Sequence, residues 1–446
     1  MKSFKLEQTE DHISEKAVNG AGIEILPRNT VLMVTRSGIL SHTFPVAILT
    51  TPSAINQDLK ALRPSAAVMP MYAAYVLRAF GPEILKNCSK AGTTVASVET
   101  DALETFPLPL APLNEQRRIT QKLELLVGRT EACRFRIDRI PKMLKRFREA
   151  VLEAAVSGKL TEEDKIASSK SSDGIPATWL RTPFNDLIES IRTGTTEVPT
   201  DSATEFPVLR SSSVRPLSVD TKDRRYLTAQ QSTNKENFIQ VGDLLFTRLS
   251  GSVEYVGNCA MVRMDASESI QYPDRLFRVR LKDPNQARYI ELAFASRSVR
   301  KQIEEQVKSS AGHQRISTEA ITRAALCIPP PVDQSEIVRR VDELFALADV
   351  VERQVRDAIM QVEKLTPSLL AKAFRGELGP QDPKDEPASV LLERIRTAKR
   401  VSRTAAEKVT AKGLKSRAMR GVKRKPNKVA ARSGSPMPKR EVSNRK

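Results

Sequence analysis

A duplicated amphipathic segment constrains this chain more than any other feature. Residues 112–160 align without a gap on residues 330–378, at a constant offset of 218. Eight of the 49 positions are identical, among them Pro112/Pro330, Gln116/Gln334, Ile119/Ile337 and Gly158/Gly376. The apolar pattern says more than the identity. In the first copy Ile119, Leu123, Leu126, Thr130, Cys133, Ile137, Ile140, Leu144, Phe147, Val151 and Ala154 alternate spacings of four and three, and all but Thr130 are apolar. The matching set in the second copy runs from Ile337 through Leu344, Val355 and Leu365 to Lys372, and all but Lys372 are apolar. Sustained 4-3 alternation places a narrow apolar stripe along a helix, the seam of a coiled coil. Two such helices in one chain can bury their stripes on each other. The pattern therefore predicts an antiparallel pairing of residues 114–156 with 332–374, with Leu126 and Leu344 in the seam.

The flanks are duplicated too. Each helix follows a proline-rich approach, Pro107–Pro112 and Pro329–Pro331, which stiffens the chain and suits a helix start. Pro141 and Pro367 are expected to kink or break their helices. Further upstream, Val31–Gly38 (VLMVTRSG) resembles Leu244–Gly251 (LLFTRLSG), and both read as a buried strand running into a Ser-Gly turn. Tyr72–Lys86 and Arg288–Val307 read as helices, and Gly92–Val98 and Gly312–Thr318 as loops before the prolines. A Ser-, Lys- and Asp-rich linker at 161–173 separates the halves. Gly379–Pro387 reads as a second loop and Val390–Arg400 as a short helix. The order is globular domain, helix, globular domain, helix.

Charge points to the partner. The net charge is +19, and residues 401–446 hold 15 Lys and Arg against two Glu, a net +13 that leaves +6 for the first 400. A polyanion is implied, nucleic acid first, and the tail reads as disordered and able to add sequence-independent affinity. No run of 18 apolar residues spans a membrane. The four cysteines lie far apart and form no CxxC pair, so neither zinc site nor disulfide framework is suggested and a reducing cytoplasm fits. The sequence contains no GxxxxGK[ST] phosphate loop, no Asn-Pro-Pro-aromatic motif and no histidine cluster. No cofactor, metal or catalytic residue is expected. A fused nuclease or methyltransferase would need those motifs. A structural coiled-coil protein that binds RNA through its tail would lose all binding with the tail.

Pro107–Ile119 (PLPLAPLNEQRRI) resembles the central region of the specificity subunits of type I restriction-modification systems, where a "PLPPLxEQ" phrase precedes a long spacer helix. Lys142–Leu160, Ala373–Leu378, Asp382–Arg396 and the Gly174–Trp179 opening (GIPATW) extend the resemblance over roughly residues 25–400. It implies an α+β protein: two mixed α/β target recognition domains, 1–111 and 174–329, separated by spacer helices 112–160 and 330–378 that form an antiparallel coiled coil. A loop and short helix (379–400) and a disordered basic tail (401–446) follow. It also implies a non-catalytic chain that binds a bipartite site in double-stranded DNA and docks methyltransferase subunits, two of them, and restriction subunits. A helix over Asn114–Ile140 is roughly 40 Å long, near the ~34–36 Å of one DNA turn.

Base readout needs Arg, Asn, Gln, Ser or Thr on loops that reach base edges. The candidates in the first domain are Arg36, Ser37, Lys90, Thr93 and Thr94. In the second they are Arg210, Ser211, Arg215, Arg248, Ser250, Lys308, His313, Gln314 and Arg315. One mismatch stands out in the repeat: Gly174 to Thr247 is 73 positions, but Met1 to the matching Thr35 is only 34. The first domain is thus expected to lack some 39 residues at its opening, as a truncated chain would. Val31–Val34 and its neighbours are then expected to carry unpaired edges or exposed apolar surface.

Overall fold

The computed structural model describes residues 3–90, 95–161, 175–231, 235–263, 269–310 and 313–401. The basic tail beyond 401 lies outside these, as does most of the linker. The described chain falls into two compact units. One takes the residues up to Glu131 together with those from Lys364 onward; the other is Ala132–Glu363.

The first unit contains β1 (Lys5–Leu6), α1 (Glu15–Ala21), β2 (Val31–Val34), β3 (Val46–Leu49), β4 (Leu59–Leu62), α2 (Pro70–Ala79), α3 (Gly81–Cys88) and α4 (Thr100–Thr105). Its sheet has the order β1-β3-β2-β4, with β2 antiparallel to both neighbours and β1 parallel to β3. β2 is buried along its whole length because both faces are covered: Val31 and Met33 enter one apolar cluster with α2 and α3, and Leu32 enters a second with Leu26 and Leu49. The expected open edge on Val31–Val34 is therefore corrected, since this strand is paired on both sides. Among the described residues, its neighbour β4 pairs on one side only and is largely exposed.

α5 (Leu113–Ile137) and α6 (Ile140–Val156) follow. Pro141 sits in the first turn of α6 and ends the regular run, as expected. In the first unit, Leu123 and Val127 of α5 share a buried cluster with Tyr75, Leu370 and Ala373.

The second unit holds β5 (Leu180–Pro183), β6 (Ile188–Thr193), β7 (Phe206–Leu209), β8 (Val214–Arg215), β9 (Ser218–Val219), β10 (Arg224–Leu227), β11 (Leu244–Thr247), β12 (Leu249–Ser250), β13 (Cys259–Met261), β14 (Leu276–Leu281), α7 (Ala287–Ala295), α8 (Arg297–Glu304), β15 (Lys308–Ser310), β16 (His313–Arg315), α9 (Thr318–Thr322) and β17 (Ala325–Ile328). α10 (Pro331–Phe374) begins in this unit. The central sheet, order β13-β11-β14-β6, repeats the β3-β2-β4 core of the first unit and adds β6. Leu244 and Phe246 face the main core with Trp179, Phe184, Phe294 and α6. Leu245 faces a second core built with Leu209, Val214, Ile239 and Tyr272. Leu209, Val214 and Ile239 of that second layer fall in the stretch by which this half is longer.

Two helices read as continuous are each split, Tyr72–Lys86 at Phe80 and Arg288–Val307 at Ser296. Gly81-Pro82 opens α3, and Ser296 leaves helical geometry to cap α8, its side chain accepting from the Val299 N–H.

Within the second unit α6 and α10 run antiparallel. Arg148 bridges Asp349 (2.6 Å) and Glu352 (2.8 Å), Arg134 of α5 reaches Glu363 (3.2 Å), and the Arg340 guanidinium donates to the Leu160 carbonyl. On α10 the deep positions are Ile337, Val341, Ala348, Val355 and Val362, mostly seven apart. All five belong to the stripe read from the sequence, whereas Leu126 and Leu344, expected in the seam, are only half-buried. α10 continues through Pro367 unbroken, contrary to the expected interruption.

The identical Gln116 and Gln334 explain why the phrase before each helix is shared. Gln116 is fully buried: its carbonyl accepts from Met69 N–H (2.8 Å) and its amide donates to Ala111 O (2.9 Å) and Ala67 O (3.3 Å). Gln334 donates to Pro329 O at 2.9 Å. Each ties its helix start to the proline segment. Tyr72 does the same from α2, donating to Pro109 O and accepting from Ala111 N–H, and burial pushes its phenol up to about 12. Gln116→Leu would leave three partly buried backbone groups without this partner and is expected to destabilise the chain by about 2–4 kcal/mol. Urea denaturation would measure this, and a cost below about 1 kcal/mol would show that water replaces the amide.

Candidate nucleic-acid interface

The two halves anchor their candidate loops in the same way. After β2, Thr35 donates its N–H to Asp58 O, and its carbonyl accepts from Val98 N–H. After β11, Arg248 donates its N–H to Arg275 O, and its carbonyl accepts from Ile316 N–H. Thr35 thus takes the place of Arg248, not of Thr247, and the Thr-Arg match in the sequence is one residue out of register. Arg36 then corresponds to Leu249 and Ser37 to Ser250.

In the first unit this register brings Arg36, Ser37 and Lys90 together. Arg36 bridges Ser97, Ser37 N–H donates to Ala96 O, and Lys90 N–H donates to Ser97 O. Arg36 and Lys90 are exposed. Ser37 also caps a short helical turn, accepting from Ile39 N–H. Thr93 and Thr94 lie outside the described residues.

In the second unit the stretch read as a loop is a hairpin. β12, β16 and β15 form a three-stranded antiparallel sheet that pairs Leu249 with Arg315, Ser250 with Gln314, Lys308 with Arg315 and Ser309 with Gln314. Strand alternation sorts these side chains by face. Lys308 and Arg315 stand directly opposite each other on one face, which His313 shares. Ser250, Ser309 and Gln314 share the other, where Gln314 Nε2 donates to Ser309 Oγ at 3.2 Å. Lys308, His313 and Arg315 are exposed.

The remaining candidates separate by their partners. Arg248 is half-buried, donates to Asp274 O (3.0 Å) and lies 5.5 Å from the Phe277 ring centroid, so it supports the turn. Arg210 pairs with Asp201 (3.0 Å) and Asp223 (3.6 Å). Ser211 starts the short helical turn that follows it. Arg215, at the other end of the same loop, is exposed and lies over the Tyr255 ring, 5.1 Å from its centroid. No described carboxylate is within ion-pair distance of Arg36, Arg215, Lys308 or Arg315. Like charges directly opposite in a sheet repel, so the Lys308–Arg315 face is suited to an anion that lies across both.

Sequence reasoning missed Tyr255 and Arg300. Tyr255 sits on the loop after β12 with 40% of its surface exposed. Arg300 holds that loop, donating to Val256 O (2.9 Å) and Glu254 O (3.3 Å). The only sequence signal for Tyr255 was an aromatic residue just after the Ser-Gly turn. Arg300 gave none, because beside its local pair with Glu304 the groups it holds are backbone carbonyls some 44 positions away. Among the described residues no three His, Cys, Asp or Glu are placed to hold a metal ion, and no helix is long and apolar enough to cross a membrane.

The family profile described as "Type I restriction modification DNA specificity domain" matches residues 3–140. The chain is 38% identical over 320 residues to the type I restriction enzyme EcoKI specificity subunit of Escherichia coli K12, covering 70% of this chain and 68% of that one. It is 30% identical over 353 residues to the StySPI specificity subunit of Salmonella potsdam, covering 77% and 74%. Its fold resembles a chain from a structure on complex assembly and conformational transition of the type I R-M system, with a TM-score of 0.55 and 16% identity over 79% of this chain and 83% of that one. The HsdS subunit of Thermoanaerobacter tengcongensis gives 0.50 and 17% over 79% and 82%.

Proposed function

Since the chain belongs to the type I restriction enzyme specificity subunits, the non-catalytic DNA-recognition component of these systems, we propose that it reads a bipartite DNA site, one half with each target recognition domain. The domains are residues 1–111 and 174–329. The helical segments 112–160 and 330–378 form the spacer, 161–173 is a linker, 379–400 a loop with a short helix, and 401–446 a basic tail that adds sequence-independent affinity. Methyltransferase subunits, two of them, dock on the spacer and restriction subunits join that core. Phe135, Met143, Leu347 and Met360 support this docking, because they leave large apolar side chains exposed on the helices.

One observation carries the DNA reading: the anchored hairpin that sets Lys308 opposite Arg315 on one face and lines up Ser250, Ser309 and Gln314 on the other. Phosphate contacts position a protein and base contacts give it specificity. We assign Lys308 and Arg315, with Arg36 and Lys90 in the first half, to the phosphates. Gln314, Ser250, Ser37, Thr93 and Thr94 are assigned to base edges, and His313 borders the phosphate face. Ser211 stays near DNA. Arg210 and Arg248 are assigned to holding their loops.

The test is DNA binding by the chain assembled with its methyltransferase subunits, across a salt series. Lys308→Ala with Arg315→Ala is expected to lower the slope of log affinity against log salt by about 2. Affinity for specific and random duplexes should fall together, by on the order of 10-fold at physiological salt. An unchanged slope would remove the hairpin from the interface. A wild-type assembly that binds random and genomic sites equally would refute the specificity reading itself.

A further inference from the structure

We propose that Arg215 reads a guanine in the half-site of the second domain, and that Tyr255 is the positioning residue that holds its guanidinium for this. The inference rests on the DNA-reading function and deepens it from a surface to one base.

Four observations converge on this pair. The first is charge. Arg210 and Arg215 close the same short loop, but Arg210 is neutralised by Asp201 and Asp223, whereas Arg215 meets no described carboxylate within ion-pair distance. The second is the stack. With its guanidinium carbon over the Tyr255 ring and Nη1 donating to the Val214 carbonyl at 3.5 Å, the group has lost much of its rotational freedom, while Nη2 and Nε meet no protein acceptor among the described residues. A planar fork with a fixed edge matches the O6 and N7 acceptors that guanine presents in the major groove. A phosphate contact would need only a mobile charge.

The third observation is the platform under Tyr255. Arg300 reaches from α8 to the carbonyls of Glu254 and Val256 on either side of Tyr255, and only 14% of its side chain is exposed. Gly257 closes the loop at φ +70°, where an added Cβ would overlap Ile303 Cγ2, and its N–H donates to Thr247 O at 2.7 Å. The ring is therefore an exposed aromatic on a rigid support. The fourth is the turn that carries Arg215. β8 and β9 pair Arg215 with Ser218 across Pro216 and Leu217. Leu217 has φ +62°, a conformation leucine rarely adopts, and Val214 is fully buried beneath the strand. Surrounding packing maintains a strained turn at this point, as recognition sites often require.

The experiment uses the full chain assembled with its methyltransferase subunits, acting on genomic DNA, with the methylated motif read by single-molecule sequencing. The variants are Arg215→Lys, Tyr255→Ala, Tyr255→Leu and Tyr255→Phe. The wild-type motif is expected to contain a guanine, on either strand of the half-site, at which Arg215→Lys and Tyr255→Ala raise tolerance of other bases by on the order of 10- to 100-fold. Tyr255→Leu keeps bulk without the ring and should behave like Tyr255→Ala, so the result does not hang on one fold-sensitive variant. Tyr255→Phe should keep the wild-type motif. A motif without such a guanine, or an Arg215→Lys variant that lowers methylation evenly at all sites, overturns the assignment. If Arg215→Lys relaxes one position and both Tyr255→Ala and Tyr255→Leu keep it, the positioning role is overturned. A wild-type assembly that methylates without any motif would instead sink the underlying DNA-reading function, a distinct outcome.

Discussion

Val341→Asp is expected to unfold most of the second unit. Val341 is completely buried on α10, in a cluster that joins Val151, Leu152 and Ala155 of α6 to Trp179, Phe294 and Leu326. A carboxylate there would have no cationic partner within the apolar cluster. After relaxation and protonation the cost is expected at about 3–5 kcal/mol, a large share of the stability of an ordinary domain. The same substitution at Val350, which is 40% exposed on the same helix, should cost less than about 1 kcal/mol. Thermal melting of both variants checks this. Equal melting temperatures would mean that the helices do not hold the core. Because α10 carries no candidate DNA residue, methylation by the assembled Val341→Asp variant should fail through folding, with no change of motif at low temperature.

The second large effect is expected from Gly194→Ala. Gly194 follows β6, and an added Cβ would overlap the Tyr272 carbonyl oxygen and lie 2.7 Å from Pro273 O. These are backbone atoms in a stretch already tied by Thr195 N–H to Tyr272 O and Asp274 N–H to Thr195 O, so no side chain can swing away. The two segments must separate, and Gln271, Tyr272 and the edge of the second core would move with them. A loss of about 3 kcal/mol or more is expected, measured by urea denaturation. Gly251→Ala is the control, since nothing lies within 4 Å of an added Cβ there. If Gly194→Ala proves as mild as the control, the close approach of these segments is wrong.

The seam shows how far local pattern carries. Its 4-3 stripe was legible because a helix repeats every 3.6 residues whatever it packs on. Which stripe residues are deepest was not, and Leu123 and Val341 lie beneath while Leu126 and Leu344 sit at the flank. That choice depends on how the partner helix is rotated. The splits at Phe80 and Ser296 were hidden for a related reason: a proline at the second helical position and a capping serine act only once the following helix has somewhere to pack.

The duplication, the two buried strands β2 and β11, the helix starts fixed by Gln116 and Gln334, and the excess of positive charge are legible in the amino-acid order. All of these are set by neighbours a few residues apart or by totals. Tertiary structure alone decided what each arginine does. Arg210, Arg215, Arg248 and Arg315 are alike as residues. Asp201 and Asp223 engage the first and Phe277 and Asp274 the third, while the second lies over Tyr255 and the fourth faces Lys308. A long flexible cation takes its role from whichever carboxylate, ring or carbonyl the fold brings within about 4–6 Å, and most of those partners are remote in the chain.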